Sequence, residues 1–204
     1  MRNHPLLALC ATLALGLSAC GDDEGPAGPG GGDDAASGTI AFDFSGDRSG
    51  RFTATGVAPD DSADTAYGTW STAARSATEL VVVGSRARTA PRVDLVFLVL
   101  SEVSGPGTYA IDPLGGGPGL GIVLFDVDAD ATEVDTQAAT YVLTSGSVTL
   151  EALTAERARG SFSGDAVRLE GSQRLFVTGG NFDVPVREED FAAVTSVAGA
   201  PAPR

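Results

Sequence analysis

The chain carries a period-two alternation of apolar and polar residues over most of its length. Ile40, Phe42 and Phe44 share one face of an extended segment, and residues 46–50 form a polar, glycine-containing break. A second alternating run follows at residues 52–56. Two alternating runs joined by a short turn predict a β-hairpin at the start of a β-rich domain.

Two later runs are more densely apolar. Residues 80–83 are continuously apolar, and the run Val93–Leu100 is apolar on both faces after Asp94. A strand that is apolar on both faces must be covered on both sides. The two runs therefore favour a β-sandwich or a filled barrel.

Turn residues recur through the rest of the chain about every 8–15 residues, which is the spacing of sandwiches and barrels. We interpret Ser145-Gly146 as a turn between strands at 141–144 and 148–152. Residues 175–178 and 182–186 are interpreted as two separate strands. We therefore expect an all-β fold, either an antiparallel β-sandwich or a filled barrel, of about ten short strands.

The beginning of the chain, residues 1–19, has the features of a secretory signal peptide. The apolar run at residues 6–17 is shorter than the roughly 20 residues of a membrane-spanning helix. It ends in Leu17-Ser18-Ala19-Cys20, which resembles the lipobox of bacterial lipoproteins. The resemblance implies acylation of the Cys20 thiol and cleavage before it. An ordinary secretory signal is the alternative, because Ser18-x-Cys20 is also a small-x-small cleavage site.

Residues 20–37 are rich in Gly, Pro and Asp and lack the apolar side chains of a core, so they predict a flexible tether. The all-β domain is expected at 38–186, and residues 187–204 are expected to form a short helix or a frayed tail. The acidic residues 22–24 are similar to the export tag of surface lipoproteins in some Gram-negative lineages, and a soluble linker is the alternative. Gly21 lacks the inner-membrane retention signal, which favours the outer membrane, with the domain periplasmic or surface-facing.

A Gly-x-Phe pattern begins three predicted strands, at residues 50–52, 160–162 and 180–182. Its physical interpretation is a glycine turn followed by an inward-facing aromatic ring. The later two segments, together with Gly146-Ser147-Val148-Thr149, resemble uncharacterised β-rich bacterial lipoproteins. That resemblance implies a lipid-anchored β domain and supplies no catalytic residues.

The formal net charge of −14 restricts the possible partners. Nucleic acids and anionic lipid surfaces require a basic protein surface, so neither is expected to bind directly. The expected membrane contact is therefore made by the acyl chains on Cys20. Any protein or glycan partner is left open.

The residue types available for chemistry are few. The only histidine, His4, and one of the two cysteines, Cys10, lie in the predicted signal peptide, and the chain has no lysine. These counts exclude Ser-His-Asp and Cys-His catalysis, lysine Schiff bases and zinc sites built from Cys and His. Because Cys20 is expected to be acylated, no disulfide is expected in the domain.

Asp126, Asp128 and Asp130 place three carboxylates at alternate positions. Calcium binds six to eight oxygen atoms, and a D-x-D-x-D segment supplies several from one loop. The match to a calcium loop is partial, because Ala131 replaces the turn glycine and Gln137 replaces the bidentate glutamate. Calcium is therefore the one cofactor hypothesis, and a solvated acidic loop is the alternative.

Other polar and aromatic residues suggest two further hypotheses. Pairs drawn from the carboxylates near predicted strand ends are candidates for glycoside hydrolysis: Asp94, Asp126, Asp128 and Asp183. Four amphipathic aromatics are candidates for lining a sugar or lipid pocket, and closing the core is their alternative role: Tyr67, Trp70, Tyr109 and Tyr141.

These patterns support three functional hypotheses from different classes. The leading hypothesis is a membrane-anchored envelope lipoprotein that acts as a non-enzymatic binding or structural module. The second is a carrier of an apolar ligand inside a barrel. The third is a carboxylate-dependent glycoside hydrolase.

Overall fold

The computed structural model describes residues 37–58, 68–129 and 138–188, and every regular element in these ranges is a β-strand. The expected all-β fold of about ten strands is confirmed. The strands are β1 (Gly38–Gly46), β2 (Gly50–Gly56), β3 (Trp70–Arg75), β4 (Glu79–Ala87), β5 (Arg92–Ser101), β6 (Gly107–Ile111), β7 (Gly119–Asp128), β8 (Ala139–Leu153), β9 (Arg157–Arg168) and β10 (Arg174–Glu188).

All ten strands belong to one sheet, in the order β2-β1-β10-β3-β4-β5-β7-β6-β8-β9. Strand β9 also pairs with β10, so that eight strands form a closed ring and the β1–β2 hairpin extends the sheet from β10. The sheet is mixed rather than purely antiparallel, because the β10–β3 and β6–β7 pairings are parallel. Both parallel pairings are short, with three and one residue pairs respectively.

Alternate residues of the strands point inward and form one hydrophobic core. Phe42 stacks on Phe52 with ring centroids 4.9 Å apart, and its edge contacts Phe162 at 5.6 Å. Phe44 contacts Phe125 at 5.1 Å, which extends the aromatic contacts towards one end of the ring. Aromatic pairs at these distances each add about 0.5–1.5 kcal/mol beyond the burial of their area.

The Gly-x-Phe pattern has a structural explanation in the β9–β10 pair. Gly160 lies opposite Phe182, and Gly180 lies opposite Phe162, in the same antiparallel ladder. A Cβ atom on Gly160 would lie 2.7 Å from the Phe182 ring, and one on Gly180 would lie 2.8 Å from the Phe162 ring. Each phenylalanine therefore covers the backbone of the other segment's glycine, which needs a residue without a side chain.

Two expected turns are wrong. Ser145-Gly146 lies in the middle of β8, and residues 175–178 and 182–186 both belong to the continuous strand β10. The ladders shift register at Leu143/Ser145 and at Val177/Gly180. In β10 the irregular stretch includes Gly179, whose φ of 60° suits a bulge, whereas in β8 the shift falls at Thr144, two residues before Gly146. In both strands the irregularity bends the ladder, and the chain direction does not reverse.

The dense apolar run of β5 is covered by the core on one face only. Val96, Leu98 and Leu100 are buried in the core, whereas Leu95 and Val99 on the opposite face are half-buried. The expectation of a strand covered on both faces is therefore corrected for the described part of the chain.

Several predicted segments lie outside the described residues, including the signal peptide, Cys20 and the tether up to residue 36. Strand β10 continues to Glu188, two residues beyond the expected domain boundary at 186. The rest of the predicted helix or tail, residues 189–204, also lies outside the described residues. A search of the described ranges finds no helix with the length and hydropathy of a membrane span.

Candidate functional site

One end of the ring collects arginines and carboxylates from β4, β5 and β7, from the β4–β5 turn and from the β1–β2 turn. Strands β1, β4 and β7 finish at this end, and β5 begins there, opposite β4 and β7. We call this group the arginine cluster; its members are Arg48, Arg86, Arg88, Arg92, Asp94, Asp126 and Asp128. Its first and last members are far apart along the chain, and the closed sheet brings them together.

Asp94 is the buried centre of the cluster, with a side chain only 1% exposed. It lies at a bulge between β5 and β7, where the register shifts between Val93 and Leu95. Its Oδ1 accepts a hydrogen bond from the Asp126 backbone N–H at 3.0 Å. Asp126 has a φ of 61°, a left-handed conformation that aspartate adopts more readily than most residues. The buried carboxylate thus stabilises a backbone geometry that would otherwise leave an N–H group unpaired.

Arg86 pairs with this carboxylate through two of its nitrogen atoms. Its Nε donates to Asp94 Oδ2 at 3.1 Å, and its Nη2 donates to the same oxygen. Its Nη1 donates to the Arg51 carbonyl, and its Cζ lies 5.1 Å from the centroid of the Phe52 ring. These contacts fix the guanidinium group in one orientation. Arg88 lies further out, with Nη1 3.7 Å from Asp94 Oδ2.

Arg48 reaches the cluster from the β1–β2 turn. Its Nη1 donates to Asp126 Oδ2 at 3.0 Å, and its Cζ lies 5.1 Å from the Phe125 ring centroid. Burial lowers the pKa of Arg48, but the hydrogen bond and charge of Asp126 outweigh burial and raise that pKa above its ordinary value. The group therefore stays cationic at every physiological pH.

Tyr141 closes the core beneath the same turn. Its side chain is fully buried, and its hydroxyl donates a hydrogen bond to Asp47 Oδ2. Burial raises the pKa of Tyr141, and the hydrogen bond to the Asp47 carboxylate raises that pKa further. The hydroxyl therefore remains a donor at neutral pH and holds the turn that carries Arg48.

A surface pocket of about 330 Å³ opens over the cluster. The described residues that line it are Phe44, Arg48, Ser49, Arg86, Arg88 and Phe125. Three guanidinium groups and two aromatic rings therefore form its walls, and no carboxylate is among these described lining residues. The aspartates that hold the arginines lie behind them.

The calcium hypothesis gains no support from the described part of this segment. Asp126 pairs with Arg48, and Asp128 Oδ2 lies 3.8 Å from Arg92 Nη2. Within the described ranges, no group of three His, Cys, Asp or Glu side chains is arranged so that it could hold one metal ion. Asp130, the third expected ligand, lies outside these ranges, so calcium binding stays a prediction.

The structure brings together some of the carboxylates proposed for hydrolysis. Asp94 and Asp126 lie in one cluster, and Asp128 is close by on the same strand as Asp126. Asp183 pairs with Arg157 near Thr39, at the other end of the ring. Since the Asp94 side chain is 1% exposed and paired with Arg86, a substrate has no access to it. The geometry therefore gives Asp94 no support as an acid–base group, and hydrolysis by the other carboxylates stays a prediction.

The aromatic residues proposed for a pocket have other places in the fold. Tyr141 belongs to the core, and the Tyr109 hydroxyl donates to the Gly105 carbonyl at 2.5 Å. Trp70 Nε1 is buried and has no hydrogen-bond partner among the described residues. None of these three lines the arginine pocket. Tyr67 lies outside the described residues.

Sequence reasoning missed the arginines of this site because it followed the carboxylates. A usable signal was present in Arg86-x-Arg88, which lies at a strand end shortly before Arg92 and Asp94. No protein-family model, curated protein or solved structure matches the chain. The interpretation of the site therefore rests on its own geometry.

Proposed function

We propose that this chain is an acylated envelope lipoprotein whose β domain is a non-enzymatic binding module. Its ligand is an oxyanion, a carboxylate or phosphate group, carried on a small apolar body. The observation that carries this proposal is the arginine pocket, whose described lining holds three guanidinium groups and two phenylalanine rings. Although the chain has a formal net charge of −14, the described lining of this pocket carries three cationic side chains and no carboxylate.

The chemistry of the pocket fits an oxyanion. A guanidinium group presents five N–H donors in a planar fork that matches the oxygens of a carboxylate or phosphate. Arg48 is 38% exposed and Arg88 is 49% exposed, so both reach the pocket opening, whereas Arg86 is only 19% exposed. Phe44 and Phe125 supply an apolar wall next to these donors.

Two of the three arginines, Arg48 and Arg86, are held in place before a ligand arrives. Asp94 holds Arg86, and Asp126 together with the Phe125 ring holds Arg48. Fixing a side chain on binding costs about 0.5–1.5 kcal/mol, and a side chain that is already fixed avoids that cost. The carboxylates behind the arginines therefore serve to orient the donors.

The core argues for a module of this kind over a carrier of an apolar ligand. The ring interior contains stacked and edge-on aromatic rings, with centroid separations from 4.9 Å to 6.5 Å. Aromatic rings packed at these distances favour a filled interior over a cavity for an apolar ligand, and we therefore assign the ligand to the surface pocket.

The pocket is tested by titrating the full chain, in a mild non-ionic detergent at low ionic strength, with phenyl phosphate. Inorganic phosphate and phenol are titrated separately, because they present the anionic group and the aromatic ring of this probe one at a time. We expect saturable binding of phenyl phosphate and none of phenol. Arg88→Gln should weaken binding about 10- to 100-fold, since a hydrogen bond to a charged group contributes about 1.5–3 kcal/mol.

Arg159→Gln is the matched control. It removes the same charge, but Arg159 is 59% exposed and pairs with Glu151 away from the pocket. The Arg159→Gln variant should bind phenyl phosphate with the same affinity as the unmodified chain. Absence of saturable binding, or an equal loss in both variants, would refute the proposed site.

The anchor is tested separately by fractionating cells that express the full chain. Cys20→Ser should move the protein out of the membrane fraction, because at least two acyl chains are needed for stable anchoring. Cys10→Ser is the control, since it changes a cysteine of the apolar run outside the lipobox. An unchanged membrane fraction for Cys20→Ser would refute the anchor and leave the pocket untouched.

A further inference from the structure

The outer face of β4, β5 and β7 carries a continuous apolar surface that faces away from the core. The register aligns its residues in rows, with Val81, Val99 and Leu120 in one row and Val83, Phe97 and Ile122 in the next. Leu95 pairs with Leu124 in a third row, and Val142 of β8 extends the second. We call this surface the outer apolar face.

This surface is not part of the core. Its residues are half-buried, apart from Val81 at 9% exposure, and none of them belongs to the hydrophobic core cluster. A contiguous apolar surface of this kind is rare on a soluble protein unless something covers it. A polar outer face would have met the needs of the fold equally well, because one covered face is enough for a mixed sheet.

We propose that residues 189–204 of the same chain cover the outer apolar face. This inference is independent of the proposed binding function. The described chain ends at Glu188, which pairs with Arg75 at the end of β3. Arg75 pairs in turn with Leu80 of β4, directly beside the row that begins with Val81. The remaining 16 residues therefore start at a corner of the surface.

The size of the segment matches the size of the surface. Three strands at a spacing of about 4.8 Å span about 10 Å, which is the diameter of one α-helix. Three rows at two-residue steps extend about 14 Å, which equals the length of a helix of about ten residues. A short helix is one of the two alternatives that the sequence leaves for this segment, the other being a frayed tail, and Gly199 and Pro201 would end such a helix.

The chemistry of the segment also matches. Phe191, Val194 and Val197 recur at a spacing of three and would lie on one side of a helix, with Thr195 and Ser196 directed away from it. Glu189 and Asp190 precede them and suit the positive end of a helix dipole. A helix packed on one face of a sheet is a standard two-layer arrangement.

The test measures access to the surface with a polar, membrane-impermeant maleimide. Ile122→Cys places a thiol on the outer apolar face of the full chain in its membrane, and labelling is mapped by mass spectrometry to separate it from Cys20. We expect the thiol to react at least about tenfold faster when residues 189–204 are deleted, because a covered group reacts only when its cover opens. Leu169→Cys, at a 59% exposed site on another part of the surface, should react equally in both chains.

A paired variant locates the segment on the surface. Ile122→Cys with Val194→Cys should form an intramolecular disulfide in an oxidising compartment, and Ile122→Cys with Ser196→Cys should not. Equal labelling of Ile122→Cys with and without the tail would overturn the proposal. A disulfide-linked dimer of the single variant would assign the surface to a second copy instead. Slow labelling in membranes that becomes fast in detergent, with the tail present in both, would assign the surface to the bilayer instead.

Discussion

Replacing Asp94 with asparagine tests whether the buried carboxylate organises the arginine end of the fold. Breaking a buried ion pair by removing one partner costs about 3–5 kcal/mol, because the other charge stays buried. Arg86 is 19% exposed and keeps its contacts with the Arg51 carbonyl and the Phe52 ring, so water and these groups compensate part of the loss. Arg88 adds little, since it is 49% exposed and such pairs contribute about 0–1 kcal/mol. We therefore expect Asp94→Asn to cost about 2–3 kcal/mol.

The comparison with Asp94→Ala separates two contributions. Asparagine keeps a side-chain oxygen that accepts from the Asp126 N–H, whereas alanine leaves that N–H without its acceptor. The alanine variant should therefore lose about 1–3 kcal/mol more than the asparagine variant. Asp183→Asn is the matched control, because Asp183 and Arg157 are 45% and 41% exposed and their pair should contribute at most about 1 kcal/mol.

The assay is urea-induced unfolding of the full chain in mild detergent at pH 7, followed by the fluorescence of Trp70. Differences in unfolding free energy are taken from the midpoints when the slope is unchanged. A loss below about 0.5 kcal/mol for Asp94→Asn would mean that the pair contributes no more than a surface contact. An equal loss for Asp183→Asn would likewise refute the role assigned to burial.

Two further predictions concern the core. Gly160→Ala should lower the free energy of unfolding by about 1–3 kcal/mol in the same assay, because the added Cβ would meet the Phe182 ring and the Thr149 carbonyl. Gly107→Ala is the control. Its Cβ would lie 3.8 Å from Tyr109, so its free energy of unfolding should stay within about 0.5 kcal/mol of that of the unmodified chain. Because the pKa of Tyr141 is raised in the folded chain, its contribution is complete below a pH of about 10 and is lost as pH rises through the folded pKa. Tyr141→Phe should therefore flatten the alkaline fall in stability, and an identical fall in both chains would contradict the assignment.

The β1–β2 hairpin shows what local sequence can predict. Ile40, Phe42 and Phe44 alternate with polar residues, and a glycine stands on each side of the Asp47-Arg48-Ser49 turn. Because alternation and turn chemistry agree there, both strands were expected where the structure has them. The all-β class follows from the same agreement repeated along the chain.

The bulges in β8 and β10 show where local sequence is insufficient. Gly146 has a φ of 137° and Gly179 a φ of 60°, and such values occur both in turns that reverse the chain and in bulges that bend it. The partner strand decides between the two outcomes: Gly146 lies opposite Gly164 of β9, and the close approach of these backbones needs a continuous ladder. The identity of the partner strand cannot be predicted from the sequence of one segment alone.

The arginine pocket depends on contacts that are even more distant in sequence. Arg48 and Asp126 are 78 positions apart, and Arg86 and Asp94 meet only because β4 and β5 pair antiparallel. The carboxylates were visible as candidates because D-x-D-x-D is a short pattern. Their role as partners that orient the arginines depends on the closed ring, which brings distant strands together.

The two ends of the domain have different roles under the proposed lipidation of Cys20. The tether would enter at Gly38, and Asp183 of β10 lies beside Thr39, so both termini of the described chain belong to one end of the ring. The turn that carries Arg48 lies beyond the far end of β1, about 30 Å away for a nine-residue strand. If Cys20 is acylated as proposed, the chain would therefore enter the domain at the end of the ring opposite the arginine pocket, and the pocket would face away from the point of entry.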